Sequence, residues 1–188
     1  MPLQSEASPD EESSPFYQEN KRVCTKWESF ILSHGGRATG KYNAWALIFH
    51  GEFKVGHVWR IGLKKSTVDH GSILLSSKKN LLMRTWIRTT HPQLSREDVV
   101  VRKRRRSDGL VGKIGGRLYQ LEGYPRYTLQ IASDARNPLA SVCQLLGAYL
   151  SREEIEQVKY NQGTGELMIE FNILFIDFGM MKSLLENL

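Results

Sequence analysis

A run of five consecutive cations near the midpoint constrains this chain more than any other feature. We call it the arginine run; it consists of Arg102, Lys103, Arg104, Arg105 and Arg106. Adjacent like charges repel one another and lose hydration when buried, so the run is expected to lie at the surface, with the core built from the segments on either side. It is most stable beside phosphates or carboxylates, which predicts an anionic partner or a nuclear-import signal. A loop that only improves solubility is the alternative.

Charge is distributed unevenly along the 188 residues, whose net charge is +6. Residues 1–20 contain five acidic residues and no Lys or Arg. Residues 21–127 contain 22 Lys and Arg against 7 acidic residues, and residues 128–188 contain 4 against 8. A central block this basic predicts a partner that carries negative charge, such as nucleic acid, an acidic lipid surface or an acidic protein.

The composition divides the chain into a tail and a body. Residues 1–20 are rich in Ser, Glu and Pro, so they bury too little apolar surface to offset the entropy lost on ordering, and we predict a disordered acidic tail. Residues 21–188 are predicted to form a single basic α+β domain. No run of about 18 apolar residues predicts a membrane-spanning helix. Cys24 and Cys143, the only cysteines, are expected to be free thiols in a reducing intracellular compartment.

The first half of the body predicts a helix followed by a hairpin. Val23, Trp27, Phe30 and Ile31 have the spacing of one face of an amphipathic helix, which His34 continues, and Gly35-Gly36 ends this helix. Residues 35–42 have the spacing of a phosphate-binding loop but place Tyr42 where the hydroxyl of a Ser or Thr must hold Mg²⁺, so we interpret them as a flexible basic turn. Residues 43–49 and 52–61 are predicted strands joined by His50-Gly51. Three aromatic residues in these strands are interpreted as core rather than as a base-stacking platform: Trp45, Phe49 and Trp59.

A second basic cluster lies between residues 72 and 90. Its cations are Lys78, Lys79, Arg84 and Arg88. With helical spacing, Arg84 and Arg88 share one side while Leu81, Leu82 and Trp86 share another, which predicts an amphipathic basic helix suited to phosphates or an acidic lipid surface. An ordinary surface helix and a β-strand are the alternatives.

The C-terminal half predicts a second hairpin, two helices and a strand. Residues 113–132 alternate as a hairpin, and Asn137-Pro138 begins a helix. Residues 151–154 resemble a capping box that begins a short helix, residues 167–178 predict a long strand, and residues 179–188 a terminal helical turn or two. The predicted fold class is therefore α+β: antiparallel hairpins plus a long C-terminal strand packed with three or four helices.

Motifs for catalysis and metal binding are missing from the sequence. It contains no GxSxG, HExxH or CxxC, and its five histidines lack ligand spacing. We therefore predict no catalytic residue, metal site or cofactor, and a non-enzymatic binding or assembly protein.

One short stretch resembles a known family. Residues 49–55, Phe-His-Gly-Glu-Phe-Lys-Val, are similar to the Gly-Glu-(Val or Ile)-Lys-Val stretch near the first core strand of some rhabdovirus matrix proteins. The chain length, the basic body and the polar tail also resemble that family, although the tail contains no Pro-Pro-x-Tyr motif. The resemblance implies an α+β protein that self-associates, contacts anionic membrane and condenses the nucleocapsid.

Two hypotheses from different classes follow. The first is a small viral matrix-type structural protein of the virion, which contacts nucleocapsid and anionic membrane through the arginine run and the second basic cluster. The second is a nucleic-acid-binding regulatory (viral accessory) protein of the nucleus or cytoplasm, which uses the same cations on phosphates without sequence readout. In that case the arginine run would also bind a nuclear-import receptor.

Overall fold

The structure, a computed structural model, describes residues 3–67, 81–92, 94–105, 108, 117–131 and 137–188. The chain divides into two compact units, Met1–Ile87 with Asn172–Phe178, and Arg88–Phe171 with Gly179–Leu188. Both contain helices and strands that pair mainly antiparallel, so the predicted α+β class is confirmed. A single domain over residues 21–188 stays a prediction, because contacts alone do not show whether the two units fold independently.

The first unit consists of a sheet and helices, and its strands neighbour one another in the order in which they occur in the chain. Its elements are β1 (Leu3–Ser5), α1 (Pro9–Glu12), α2 (Pro15–Ser33), β2 (Arg37–Tyr42), β3 (Leu47–Val55), β4 (His57–Thr67) and β5 (Leu81–Thr90), of which residues up to Ile87 belong to this unit. The strands lie side by side in the order β1-β2-β3-β4-β5. β1 is parallel to β2, whereas β2, β3 and β4 pair antiparallel. Successive side chains of each strand therefore point to opposite faces of this sheet.

Helix α2 covers one face of the first sheet. Trp27 is fully buried, and its indole Nε1 donates to the carbonyl of Phe175 at 2.7 Å. Phe30 packs edge-on against Phe53 of β3. Gly51 permits the closest approach, because a Cβ built there would lie 1.9 Å from Cδ1 of Ile31. The helix predicted from Val23, Trp27, Phe30 and Ile31 thus forms and packs directly on β3.

The N-terminal residues differ from the predicted disordered tail. Residues 3–5 pair with β2, and Pro15 occupies the first turn of α2 behind the N-cap Ser14. Tyr17 and Asn20 are buried. Composition alone indicates disorder, because it contains no information on the contacts with distant parts of the chain that bury these two side chains.

Two predictions about turns are wrong. The hairpin does not turn at His50-Gly51: β3 continues through both residues, and the chain reverses at Gly56, whose φ of +64° favours glycine. The predicted flexible turn over residues 35–42 contains strand β2. In both places, pairing with neighbouring strands outweighs the local preference of glycine for turns.

The second unit is also built on a sheet. Its elements are β6 (Val99–Lys103), β7 (Arg117–Gln120), β8 (Tyr127–Ile131), α3 (Ala140–Leu145), α4 (Gly147–Ser151), β9 (Ile155–Asn161), β10 (Glu166–Phe171) and α5 (Phe178–Asn187), whose first residue belongs to the first unit. The strands are arranged antiparallel in the order β10-β9-β6-β8-β7. Buried tyrosines anchor this sheet, since the Tyr127 hydroxyl donates to the Ile155 carbonyl at 2.8 Å. Tyr160 donates in the same way to the carbonyl of His91, at 3.0 Å.

The C-terminal predictions are partly correct. The second hairpin forms from β7 and β8, and the helix expected after Asn137-Pro138 begins at Ala140, where Asn137 Oδ1 accepts from the backbone N–H of Leu139. The residues after Ser151 form strand β9 instead of a capped helix. The long strand ends at Phe171, and the described residues contain five helices against the three or four predicted.

Candidate functional site

The structure divides the arginine run instead of exposing it as one block. Arg102 and Lys103 end strand β6, and Arg104 and Arg105 follow it as exposed residues. Arg106 lies outside the described residues. Arg102 is mostly buried, with 16 % of its side chain exposed, which corrects the expectation that the whole run lies at the surface.

An ion pair explains why Arg102 can leave the surface. Its Nη1 and Nη2 atoms donate to the two carboxylate oxygens of Asp108, at 2.9 and 2.7 Å. The same carboxylate accepts the backbone N–H of Arg105 at 2.8 Å. These hydrogen bonds, that of Arg102 first, lower the pKa of Asp108, so the carboxylate remains charged and neutralises Arg102. Arg104 and Arg105 are left with no side-chain ion pair among the described residues.

The second basic cluster is only partly described. Lys78 and Lys79 lie outside the described residues. Arg84 and Arg88 belong to strand β5, so over residues 81–90 the predicted helix is wrong and the strand alternative is correct. The alternation of buried Thr85, Ile87 and Thr89 gives the physical reason, because a period of two buries one side of a strand. Arg84 and Arg88, four residues apart, point to the other side of the strand.

A third basic surface, which the sequence did not single out, lies on the first unit. We call it the open face: the side of strands β2 to β5 opposite to α2, within that unit. The strands direct six cations to it, Arg37, Lys41, Lys54, Arg60, Lys64 and Arg84. Against these six, the four strands contain one acidic residue, Glu52. The open face is therefore strongly basic.

Strand register arranges these cations in rows. In one row Glu52 lies between Arg37 and Arg60 and accepts from both, at 3.1 and 2.8 Å. The hydrogen bond from Arg60, followed by that from Arg37, lowers the pKa of Glu52 and keeps it ionised. One carboxylate thus orients two guanidinium groups and leaves the row with a net positive charge.

A second row lies four residues away along the same strands. It pairs Lys41 with Ile48 and Ile48 with Lys64. Lys41 forms an ion pair with Glu6, whereas Lys64 and also Lys54 are exposed and form no ion pair with a described residue. Lys64 in this row, and Lys54 on the far side of the first row opposite Val58, therefore offer ammonium groups to an external anion.

Flat side chains occupy the space between the two rows. There, His50 lies opposite Gly62 in the register. A Cβ built on Gly62 would lie 3.3 Å from Cε3 of Trp86 and 3.8 Å from Nδ1 of His50, so both rings lie beside this glycine on the open face. A shallow depression adjoins them, with Thr39, Glu52 and Arg60 among the residues that line it. The open face thus combines cations with an aromatic centre.

One signal in the sequence could have revealed this surface. In β4 the polar or small residues Arg60, Gly62 and Lys64 alternate with the buried Trp59, Ile61 and Leu63. The interpretation of Trp59 and Phe49 as core residues agrees with their burial, whereas Trp45 is 53 % exposed.

Other kinds of site receive no support from the residues that the structure describes. Among them, no group of three or more His, Cys, Asp or Glu side chains is placed to hold a metal ion. No helix in that part of the chain is long and apolar enough to cross a membrane.

No family model, curated protein or solved structure matches this chain. The resemblance to rhabdovirus matrix proteins therefore stays a prediction. Its residues, 49–55, form most of β3, which runs through the middle of the open face.

Proposed function

We propose that the protein is a non-enzymatic binding and assembly protein of the matrix type, and that its open face binds a phosphate-bearing partner. The observation that carries the proposal is the excess of six cations over one carboxylate on one side of strands β2 to β5. Strands hold their side chains at fixed spacing, so the charges are arranged before the partner arrives. The resemblance of β3 to the matrix family agrees with an assembly role, in which copies of the chain self-associate on a nucleocapsid.

Nucleic acid is the partner that the open face favours. Binding to phosphates releases counterions and needs only accessible cations, which Lys54 and Lys64 provide. A surface that inserts into an acidic membrane also presents large apolar side chains among its cations. Ile48, which is 48 % exposed, is the one strongly exposed large apolar residue on these four strands. We therefore propose the nucleic acid of a nucleocapsid first and treat anionic membrane as the competing partner.

The exposed Arg104 and Arg105 support a second candidate function. Two adjacent guanidinium groups without an ion pair among the described residues suit phosphates or an import receptor. In this alternative the protein is a nucleic-acid-binding regulatory protein, nuclear or cytoplasmic, and the arginine run is its main contact.

The test is a competition between short single-stranded RNA and acidic liposomes for the purified protein at two salt concentrations. We compare Lys54→Gln with Lys64→Gln in one chain, Arg104→Gln with Arg105→Gln in another, and a control that carries Lys26→Gln and Lys182→Gln. All three variants lose two charges, and both control lysines are exposed outside the open face, on α2 and α5.

We expect RNA to win and the open-face variant to bind it less tightly. Each lost phosphate contact lowers the slope of log K against log salt concentration by about 0.7 for a single strand, so the double variant should lose about 1.4. The control should keep the slope of the unmodified protein. Loss confined to the Arg104 and Arg105 variant would favour the regulatory alternative, and liposomes winning would make membrane the partner. An unchanged open-face variant would refute the role of that surface.

A further inference from the structure

We propose that the open face binds single-stranded nucleic acid by stacking one base on Trp86, with His50 beside it, while the two rows of cations bind the flanking phosphates. This inference rests on the proposed function, because it names the class of nucleic acid and the residue that recognises it.

Trp86 differs in position from the buried tryptophans. Trp27 and Trp59 are buried in the core, where an indole cannot meet a ligand. Trp86 is half-buried and belongs to the outward-facing set of β5, because its neighbours Thr85 and Ile87 are the buried ones. Its ring is thus available from the side of the sheet that α2 leaves uncovered.

Gly62 allows the indole of Trp86 to pack directly against strand β4. The indole approaches so closely that a Cβ on residue 62 would come within 3.3 Å of Cε3 of Trp86. A larger residue would push the ring away from β4, whereas glycine lets the indole rest against the strand. His50 lies opposite Gly62 on β3 and extends the flat surface. Planar side chains on an exposed sheet provide a platform on which unpaired bases stack.

Cations lie on both sides of this platform. From Gly62, the strand leads in one direction to Arg60 and in the other to Lys64, each two residues away. Two residues of a strand span about 7 Å, so the guanidinium and ammonium groups can reach phosphates on either side of one stacked nucleotide. Glu52 holds the Arg60 guanidinium in place at 2.8 Å. Along β4, cations therefore lie on both sides of the glycine against which Trp86 packs, as phosphates lie on both sides of a base along a strand of nucleic acid.

Stacking selects single strands over duplexes. In a duplex both faces of each base are covered by neighbouring bases, and only the base edges and the phosphates are available to a protein. A duplex could therefore use the cations of the open face but not Trp86. A membrane would likewise use the cations without requiring a flat ring.

The experiment measures the affinity of a labelled single-stranded RNA and of an RNA duplex of the same length, for the full chain and its variants. Trp86→Leu should lose about tenfold in affinity for the single strand and little for the duplex, with the salt slope unchanged, because stacking is uncharged. Trp86→Phe should retain most of the affinity. Trp45→Phe, at an exposed tryptophan outside the four strands, is the control and should bind as the unmodified protein does.

A fluorescence measurement tests the inference without altering Trp86. In the Trp45→Phe chain the two buried indoles remain constant, so quenching by bound single-stranded RNA reports on Trp86. Strong quenching supports stacking; affinity without quenching overturns it. Equal loss for single strand and duplex in Trp86→Leu also overturns it. If that variant binds normally while Lys54→Gln with Lys64→Gln binds weakly, only the stacking inference fails. If no variant changes RNA binding, the proposed function fails as well.

Discussion

The buried amide of Asn20 should be one of the most sensitive positions in the first unit. Its Nδ2 donates to the carbonyls of Asn43 and Ala44, at 2.8 and 3.3 Å, and its Oδ1 accepts from Nζ of Lys65 at 2.7 Å. Asn20 is fully buried and Lys65 is 8 % exposed. Burial lowers the pKa of Lys65, which shows that the site already disfavours the charged ammonium. One side chain therefore connects α2, β4 and the turn before β3.

Replacing Asn20 by leucine removes all three hydrogen bonds at once. It leaves the ammonium of Lys65 without its acceptor and two carbonyls without their donor. Removing one partner of a buried charged group costs about 3–5 kcal/mol, which is a large fraction of the roughly 5–15 kcal/mol of a typical domain. We expect a loss of about 3–5 kcal/mol in the free energy of unfolding, and a fall in Tm of roughly 6–20 °C for a chain of this size.

Lys65→Met separates the charge from the hydrogen bonds. This variant removes the ammonium and leaves only Oδ1 of Asn20 unsatisfied, at a cost of about 1–3 kcal/mol. In the double variant no buried charge remains, so its destabilisation should be smaller than the sum of the single losses by about 2 kcal/mol. Urea unfolding followed by circular dichroism measures all four chains, with Asn187→Leu, at an exposed residue, as the control. Additive losses, or a loss below about 1 kcal/mol for Asn20→Leu, would refute the reasoning.

Three further predictions concern other contacts. Gly51→Ala should cost about 1–3 kcal/mol of unfolding free energy, because the new Cβ would meet Ile31 Cδ1 at 1.9 Å; Ile31→Val, which removes that atom, should recover part of the loss in urea titrations. Asp108→Asn should cost about 1.5–3 kcal/mol by leaving Arg102 without its carboxylate. The contribution of Asp108 is complete above its unfolded pKa of 3.8 and is lost as the pH falls through its lower folded pKa; the Asn variant should lack this acid dependence in melting curves. Burial raises the pKa of the Cys24 thiol from 9.0 to about 12, so stability should fall between those pH values, and less so in Cys24→Ala.

The sequence predicted best where burial follows a regular period. Helix α2 was found from its apolar spacing because one side of it packs on the sheet throughout, as Trp27 and Ile31 show. Strand β8, which pairs with β7, was found from alternation because its apolar residues Tyr127, Leu129 and Ile131 are buried. Both patterns record which side of an element is buried, and that information is contained in the local sequence.

Contacts between distant residues left no such signal. Gly51 resembles a turn residue, but it is a glycine in a strand because α2 passes directly over it. Tyr17 and Asn20 lie in a polar segment, and their burial depends on Tyr42 and on the turn before β3. Local preference indicates what a segment does alone, and these residues are positioned by segments 20 or more positions away.

The arginine run shows how a charge pattern can mislead. Treated as five equal cations, it predicts one exposed block. In strand β6, consecutive residues instead point to opposite sides. Asp108, only six residues after Arg102, forms an ion pair with Arg102, whose guanidinium would otherwise be poorly hydrated. The sequence shows that this acidic residue follows the run, but it does not show where the carboxylate lies.

The open face depends on register, and this couples folding of the first unit to its proposed function. A shift of β4 by one residue would exchange Arg60 and Lys64 with Trp59, Ile61 and Leu63, so that cations would enter the core and apolar residues would leave it. The burial beneath α2 therefore enforces the outward display of the cations. It follows that a variant such as Gly51→Ala, which strains the packing of α2 but keeps the register, should lose stability and still bind RNA with an unchanged salt slope while it remains folded. Loss of RNA affinity in the folded Gly51→Ala protein would show that the display of cations depends on the position of the helix as well as on strand register.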